Sequence, residues 1–247
     1  MRKGFTLAEV IITIGLVGVV ALMVMPTLIV HVQKKILQLQ SEHCYTSLSG
    51  TFKHYLADNG VDVLSGTPIY SNGTEYSGPE FERALDAMDK FIRGYTKVIS
   101  FCTYEERSKC FPDRIFSLDG RRNVQYEIQP FALNYVLING YSISVYPPTQ
   151  YYPGGLSVDV NGRKGPNVGG RDIWYLSIYN DGTLNEPGLT PECLKDSDAC
   201  ARQGSSGNTV REIIDNQFAK CTTQGELNPY GAGCFGHFKE AGYVFDY

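Results

Sequence analysis

The sequence predicts an α+β fold in which a long N-terminal helix, membrane-spanning in its first part, packs its outer half on a mostly antiparallel β-sheet. Three observations predict it. Residues 10–30 carry no charged side chain. Apolar residues at helical spacing continue beyond them, at Leu37, Cys44, Leu48, Phe52 and Tyr55. From about Phe116 the pattern changes to short apolar runs parted by turn signals. Helix first and strands afterwards is the order of an α+β domain.

The first element is the apolar run from Val10 to Val30. As a helix it covers about 31 Å, enough to cross a bilayer. Arg2 and Lys3 precede it, and the positive-inside rule places that end in the cytoplasm and everything after His31 outside. The run is too long for a cleaved secretory signal, and Met23-Val24-Met25-Pro26 offers no small-x-small site. Glu9 stands at the edge of the run, where a carboxylate needs a partner. Pro26 is expected to kink or loosen the helix, and Gly15 and Gly18 permit close helix packing. Asp58-Asn59-Gly60 is a stop signal.

Residues 61–77 read as a loop. Ser77-Gly78-Pro79-Glu80 reads as a capping box with proline in the first turn, opening a short helix with Phe81, Leu85, Met88 and Phe91 or Ile92 inward. Thr96 to Cys102 follows, then a loop to Cys110. Strand candidates are Phe131–Ile138, Tyr141–Tyr146, Leu156–Val160, Ile173–Tyr179 and a short piece near Thr183, with Asn139-Gly140 and Asp181-Gly182 as hairpin turns. Trp174, the single tryptophan, is expected in the core.

Seven cysteines are present, with no CxxC pair and no zinc spacing. They read as disulfides of an oxidising compartment. The local pairs Cys102–Cys110, Cys193–Cys200 and Cys221–Cys234 are plausible, other connectivities stay open, and Cys44 is left over on the helix. A net charge of −4 shows no basic excess, so nucleic acid is not expected as the main partner. His31, His43, His54 and His237 are dispersed, and no nucleophile, metallohydrolase or phosphate-loop motif occurs. The chain does not read as an enzyme.

The densest local motif is Asp159-Val160-Asn161-Gly162-Arg163-Lys164-Gly165-Pro166-Asn167, followed by Arg171-Asp172. Asp159, Asn161, Asn167 and Asp172 can aim oxygens at one point, as Ca²⁺ requires. The spaced glutamate of an EF-hand is absent, and Arg163, Lys164 and Arg171 oppose a cation. A turn network in which the same side chains satisfy backbone amides is the other reading.

The N-terminal residues Lys3-Gly4-Phe5-Thr6-Leu7-Ala8-Glu9-Val10 resemble the processing signal of type IV pilins and pseudopilins, and Pro26 sits where that family often carries a helix-kinking proline. The resemblance implies a pilin-like fold in three parts: a leader over 1–4, a transmembrane and filament-core helix over 5–32, and an extracytoplasmic domain over 33–247 that includes the outer half of the helix to about residue 57. It implies cleavage between Gly4 and Phe5 by a prepilin peptidase, N-methylation of Phe5, and assembly through Glu9 and Pro26. The implied partners are other pilin or pseudopilin subunits, the peptidase and an inner-membrane assembly platform. The implied role is a pseudopilin or minor pilin of a secretion or pilus-like filament; a tip or adhesin-type binding subunit is the alternative. The stretch from Asp159 to Gly182 and the ending Tyr243–Tyr247 also resemble one subgroup of pseudopilin-like proteins.

Overall fold

A computed structural model describes residues 6–121, 123–125, 128–196, 209–223 and 231–246. Helix α1 runs over Leu7–Asp58, and its 52 residues correspond to a rod about 78 Å long. It passes through Pro26 without interruption of the helix. The missing proline N–H costs the Leu22 carbonyl its helical donor, while the Thr27 hydroxyl donates to the Val24 carbonyl at 2.8 Å. The stop signal acts as expected. Asn59 caps the last turn through its amide nitrogens on the Tyr55 carbonyl, and Gly60 then takes the left-handed conformation at φ 64° that a side chain disfavours.

The two halves of α1 live in different surroundings. From Leu7 to Ile36 every residue but the half-buried Ala21 is exposed. Beyond that, Gln38, Ser41, Cys44, Leu48, Phe52, Tyr55 and Leu56 are buried, one stripe at three- and four-residue spacing that lies on a single helix face. This stripe is what the globular part packs against. Phe52 and Tyr55 meet Phe91 of helix α2 (Gly78–Tyr95) at ring separations of 4.9 and 4.6 Å.

Helix α2 buries Phe81, Ala84, Met88, Phe91 and Ile92, close to the expected set, with Ala84 inward and Leu85 only partly covered. The expected capping box does not form. Gly78 enters the helix at φ 84°, the Ser77 hydroxyl turns to Glu75 at 3.5 Å, and Glu80 pairs with Arg83 instead.

The main sheet has six strands: β1 (Val98–Cys102), β4 (Leu133–Leu137), β5 (Ser142–Tyr146), β6 (Gly154–Asp159), β7 (Ile173–Ile178) and β8 (Leu184–Asn185), in the order β1-β4-β5-β6-β7-β8. Every neighbouring pair is antiparallel. A separate ribbon, β2 (Arg114–Phe116) with β3 (Asn123–Gln125), was not foreseen as strand. Both expected hairpin turns occur, with Gly140 at φ 85° and Gly182 at φ 74°. At Gly182 a Cβ would come within 2.8 Å of Leu56 on α1, so the turn is glycine for space as well as for conformation.

Two helices follow: α3 (Val210–Thr223) and α4 (Cys234–Glu240). Neither is among the elements expected from the sequence. The Cys221–Cys234 disulfide joins them, and Cys102–Cys110 closes the loop after β1. Cys193 is also disulfide-bonded; Cys200, its expected partner, lies outside the described residues. Trp174 sits in the core as expected. It stacks on Phe238 of α4 at 5.3 Å, and its indole N–H donates to Ser41 of α1 at 2.9 Å.

Cys44 is the free cysteine among the described residues. It is buried, and burial together with the nearby Asp159 pushes its thiol up. It should therefore resist iodoacetamide in the native chain and react only after unfolding. Mass spectrometry of the alkylated native chain checks this, and rapid labelling would count against it.

Candidate functional site

Two places concentrate features that folding alone does not use. The first is the start of α1. Gly4 and Phe5 lie outside the described residues. Thr6 is the N-cap, and its hydroxyl oxygen accepts from the Glu9 amide at 3.3 Å. The Glu9 carboxylate accepts in return from the Thr6 amide at 2.9 Å and the Thr6 hydroxyl at 2.8 Å. This reciprocal arrangement is a capping box, and the Thr-x-x-Glu spacing was legible in the sequence. Both bonds fall on the same carboxylate oxygen, Oε2. Beyond Glu9 the helix is long and apolar enough to cross a membrane, and none of its most apolar stretch is covered by the rest of the chain. Leu7 and Leu22 are each 77% exposed. Gly15 and Gly18 face nothing within 4 Å. By length and composition this stretch could span a membrane.

The second place is the loop joining β6 to β7, which brings together all four residues expected there. Asp172 is its clasp: Oδ1 accepts from the Val168 amide at 2.6 Å, and Oδ2 accepts from the Asn167 amide at 2.7 Å and the Asn161 side-chain amide at 3.2 Å. Asp159 Oδ1 accepts from the Asn161 backbone at 3.2 Å. Asn161 also donates to the Gly165 carbonyl at 3.2 Å. The turn-network reading therefore describes much of the loop. It leaves a remainder: Asp159 Oδ2, Asn161 Oδ1 and Asn167 Oδ1 are buried and have no hydrogen-bond partner. Asp159 and Asp172 are both fully buried. Burial, then the neighbouring Asp172, pushes the Asp159 carboxyl up to about 8, and burial raises Asp172 as well.

This loop abuts α1 just past its apolar stretch. Asn161, Lys164, Gly165, Pro166 and Arg171 line a groove of about 710 Å³ whose other wall is Val30, Ile36 and Leu37 of α1. The Ser41 hydroxyl reaches the Arg171 carbonyl at 3.5 Å.

One buried acidic residue carries no sequence signal. Glu186, 1% exposed, accepts from the Gly233 amide at 2.9 Å, the Phe235 amide at 2.7 Å and the Gly236 amide at 3.1 Å. It ties the end of the sheet to the start of α4. Nothing in Glu186-Pro187-Gly188 marks it, because its partners stand nearly fifty residues away.

The histidines do not gather. His43 meets the Tyr141 hydroxyl at 3.0 Å, His54 meets Asp58 at 3.2 Å and His237 meets Asp246 at 2.8 Å. Among the described residues no three His, Cys, Asp or Glu side chains cluster as a metal centre. Compared with known proteins, the chain matches no family model, no curated protein and no solved structure.

Proposed function

We propose that this chain is a structural subunit, a pseudopilin or minor pilin, of a type II secretion or type IV pilus-like filament. The observation that carries the reading is one juxtaposition: Gly4-Phe5, with Glu9 four residues on, stands directly before a helix whose apolar surface nothing in the chain covers. A prepilin peptidase hydrolyses the Gly4–Phe5 bond, and the freed Phe5 amine is methylated. Loss of Arg2 and Lys3 with the leader takes the formal charge from −4 to −6.

The same surface then serves twice. Before assembly the helix rests in the inner membrane, N-terminus inside and globular domain outside, where disulfides persist. On assembly, the platform delivers it to a bundle of like helices, which replaces lipid by side chains of equal polarity, so packing and registry decide the outcome. Gly15 and Gly18 let neighbouring backbones approach. Glu9 pairs with the Phe5 amine of an adjacent subunit, and Pro26 loosens the rod where subunits must adjust. The buried stripe from Gln38 to Leu56 fixes the globular domain to the rod, so each subunit carries its domain to the filament surface.

Intact-mass analysis of chain purified from its own membranes tests the reading. The expected mass lacks residues 1–4 and carries one added methyl group. A chain retaining its first four residues would contradict it.

A further inference from the structure

We propose that the groove between α1 and the β6–β7 loop holds the headgroup of an anionic phospholipid from the leaflet on the domain side, with Lys34, Lys164 and Arg171 on its phosphate. The proposal rests on the reading that α1 spans a bilayer with its globular domain outside. Three cations and no acidic residue line this groove. All three are exposed, and among the described residues none lies within ion-pair distance of a carboxylate. The neighbouring acids do not answer them. Asp172 accepts from the Asn167 and Val168 amides, and Asp246, beside the lining residue Phe245, meets His237. Asp159 is buried behind the loop, where its carboxyl is pushed up to about 8. The groove thus presents unmatched positive charge. The positive-inside rule leaves few Lys and Arg on the outer side of a span, and an anionic ligand gives these three a partner.

The depth of the groove selects a lipid. Lys34 stands four residues beyond Val30, about 6 Å along the helix axis. The headgroup layer on each side of the hydrocarbon core is roughly 5–8 Å thick, so Lys34 falls at the level of the phosphates. Val30 and Ile36, 65% and 49% exposed, carry the apolar surface of the span up into the groove wall. A soluble phosphate would engage the cations and leave that wall wet. A phospholipid covers both, with its phosphate on the cations and its upper acyl carbons along Val30. The volume of about 710 Å³ lies within the roughly 300–1,000 Å³ of small-molecule sites. A zwitterionic headgroup would bring its own cation against three others, so the net-negative headgroup fits. Each basic residue beside such lipid strengthens binding roughly fivefold.

The loop holds its cations at a fixed height. The Arg171 amide donates to the Val168 carbonyl at 3.1 Å, and its carbonyl accepts from Ser41 of α1 at 3.5 Å. Only the backbone of Arg171 is used in this way, which leaves the guanidinium for a ligand. A lipid bound there sets the depth of the rod in the bilayer before the chain leaves it.

The test reconstitutes the full chain in phosphatidylcholine vesicles that carry a small fraction of lipid with a photoactivatable headgroup, either phosphatidylglycerol or phosphatidylcholine. Phosphatidylglycerol is expected to label residues 30–40 and 161–171 about tenfold more strongly than phosphatidylcholine, and added salt to erode the difference. The double variant Lys164→Gln, Arg171→Gln leaves the backbone bonds of the loop in place. It should keep the wild-type melting temperature and lose about tenfold of the phosphatidylglycerol labelling. Flotation of the same vesicles separates the two readings. A chain that floats yet shows no preference overturns the proposal alone, whereas a chain that does not float overturns the membrane reading beneath it. Undiminished labelling in the folded double variant would overturn the site. Equal displacement of the label by glycerol phosphate in solution would overturn the lipid as occupant. Cross-links between groove residues of two copies, in place of lipid label, would assign the groove to a second chain and overturn the proposal.

Discussion

Glu186→Ala is expected to cost about 3–5 kcal/mol of folding stability in mildly acidic buffer, because it strips the acceptor from three buried amides at once. Each amide belongs to the entry of α4, and α4 supplies Phe235 and Phe238 to the packing around Trp174. The loss therefore reaches the core rather than a frayed edge. Denaturant unfolding should show a lower midpoint with an unchanged slope. Glu186→Gln keeps one carbonyl oxygen and should lose about 1–3 kcal/mol. Wild-type stability in place would refute the account.

The same residue predicts a pH dependence. Burial pushes the Glu186 carboxyl up to about 7, against the pull of its three amide donors. Between the ordinary glutamate value and about 7, the folded chain binds a proton that the unfolded chain has released. Stability from this group is then fully present in acid, falls as pH rises through that window, and levels off above it, a change of about 3 kcal/mol. Asp159 and Asp172, also raised by burial, slope the same way. Glu186→Gln should remove one proton's worth of slope, so its deficit relative to wild type shrinks as pH rises.

Glu186 marks the boundary of what a sequence discloses. The elements legible in advance are those whose cause is local: the stripe on α1, the Asn59-Gly60 stop, the two glycine hairpin turns and the short-range disulfides Cys102–Cys110 and Cys221–Cys234. Helix α3 could have been read from Val210, Ile213, Ile214 and Phe218, which recur at helical spacing. Helix α4 could not, because its seven residues are too few for periodicity, and it is held by a disulfide, a distant carboxylate and an aromatic cluster. The spacing Ser77-x-x-Glu80 predicts a capping box that does not form, whereas one forms at Thr6. The same four-residue spacing exists in both, but a left-handed glycine follows Ser77, and Glu80 has an arginine one turn ahead. In the β6–β7 loop the residue types announced converging oxygens. Only the fold shows that Asp172 is used by the backbone while Asp159 Oδ2 is not.

Glu9→Val is expected to leave the chain in the membrane with its globular domain folded and to exclude it from sheared filaments. The exposed apolar surface is unchanged, or enlarged, by valine, so membrane residence does not depend on the carboxylate. The domain begins to pack at Leu37 and Gln38, about eight turns away, so its melting should not shift. Two roles of Glu9 must be separated, however, because Glu9 also closes the capping box with Thr6. Glutamine serves in that box as well as glutamate does, yet it brings no charge. Glu9→Gln is therefore expected to keep the helix start and still to fail in assembly, since a neutral amide cannot offset the charged amine of a neighbouring Phe5 in an apolar bundle. Thr6→Ala does the reverse: it removes the cap hydroxyl, keeps the charge, and should assemble. Subunit counts in filaments sheared from cells expressing each variant decide the matter. If Glu9→Gln enters filaments at the wild-type level while Thr6→Ala does not, capping rather than charge pairing governs assembly.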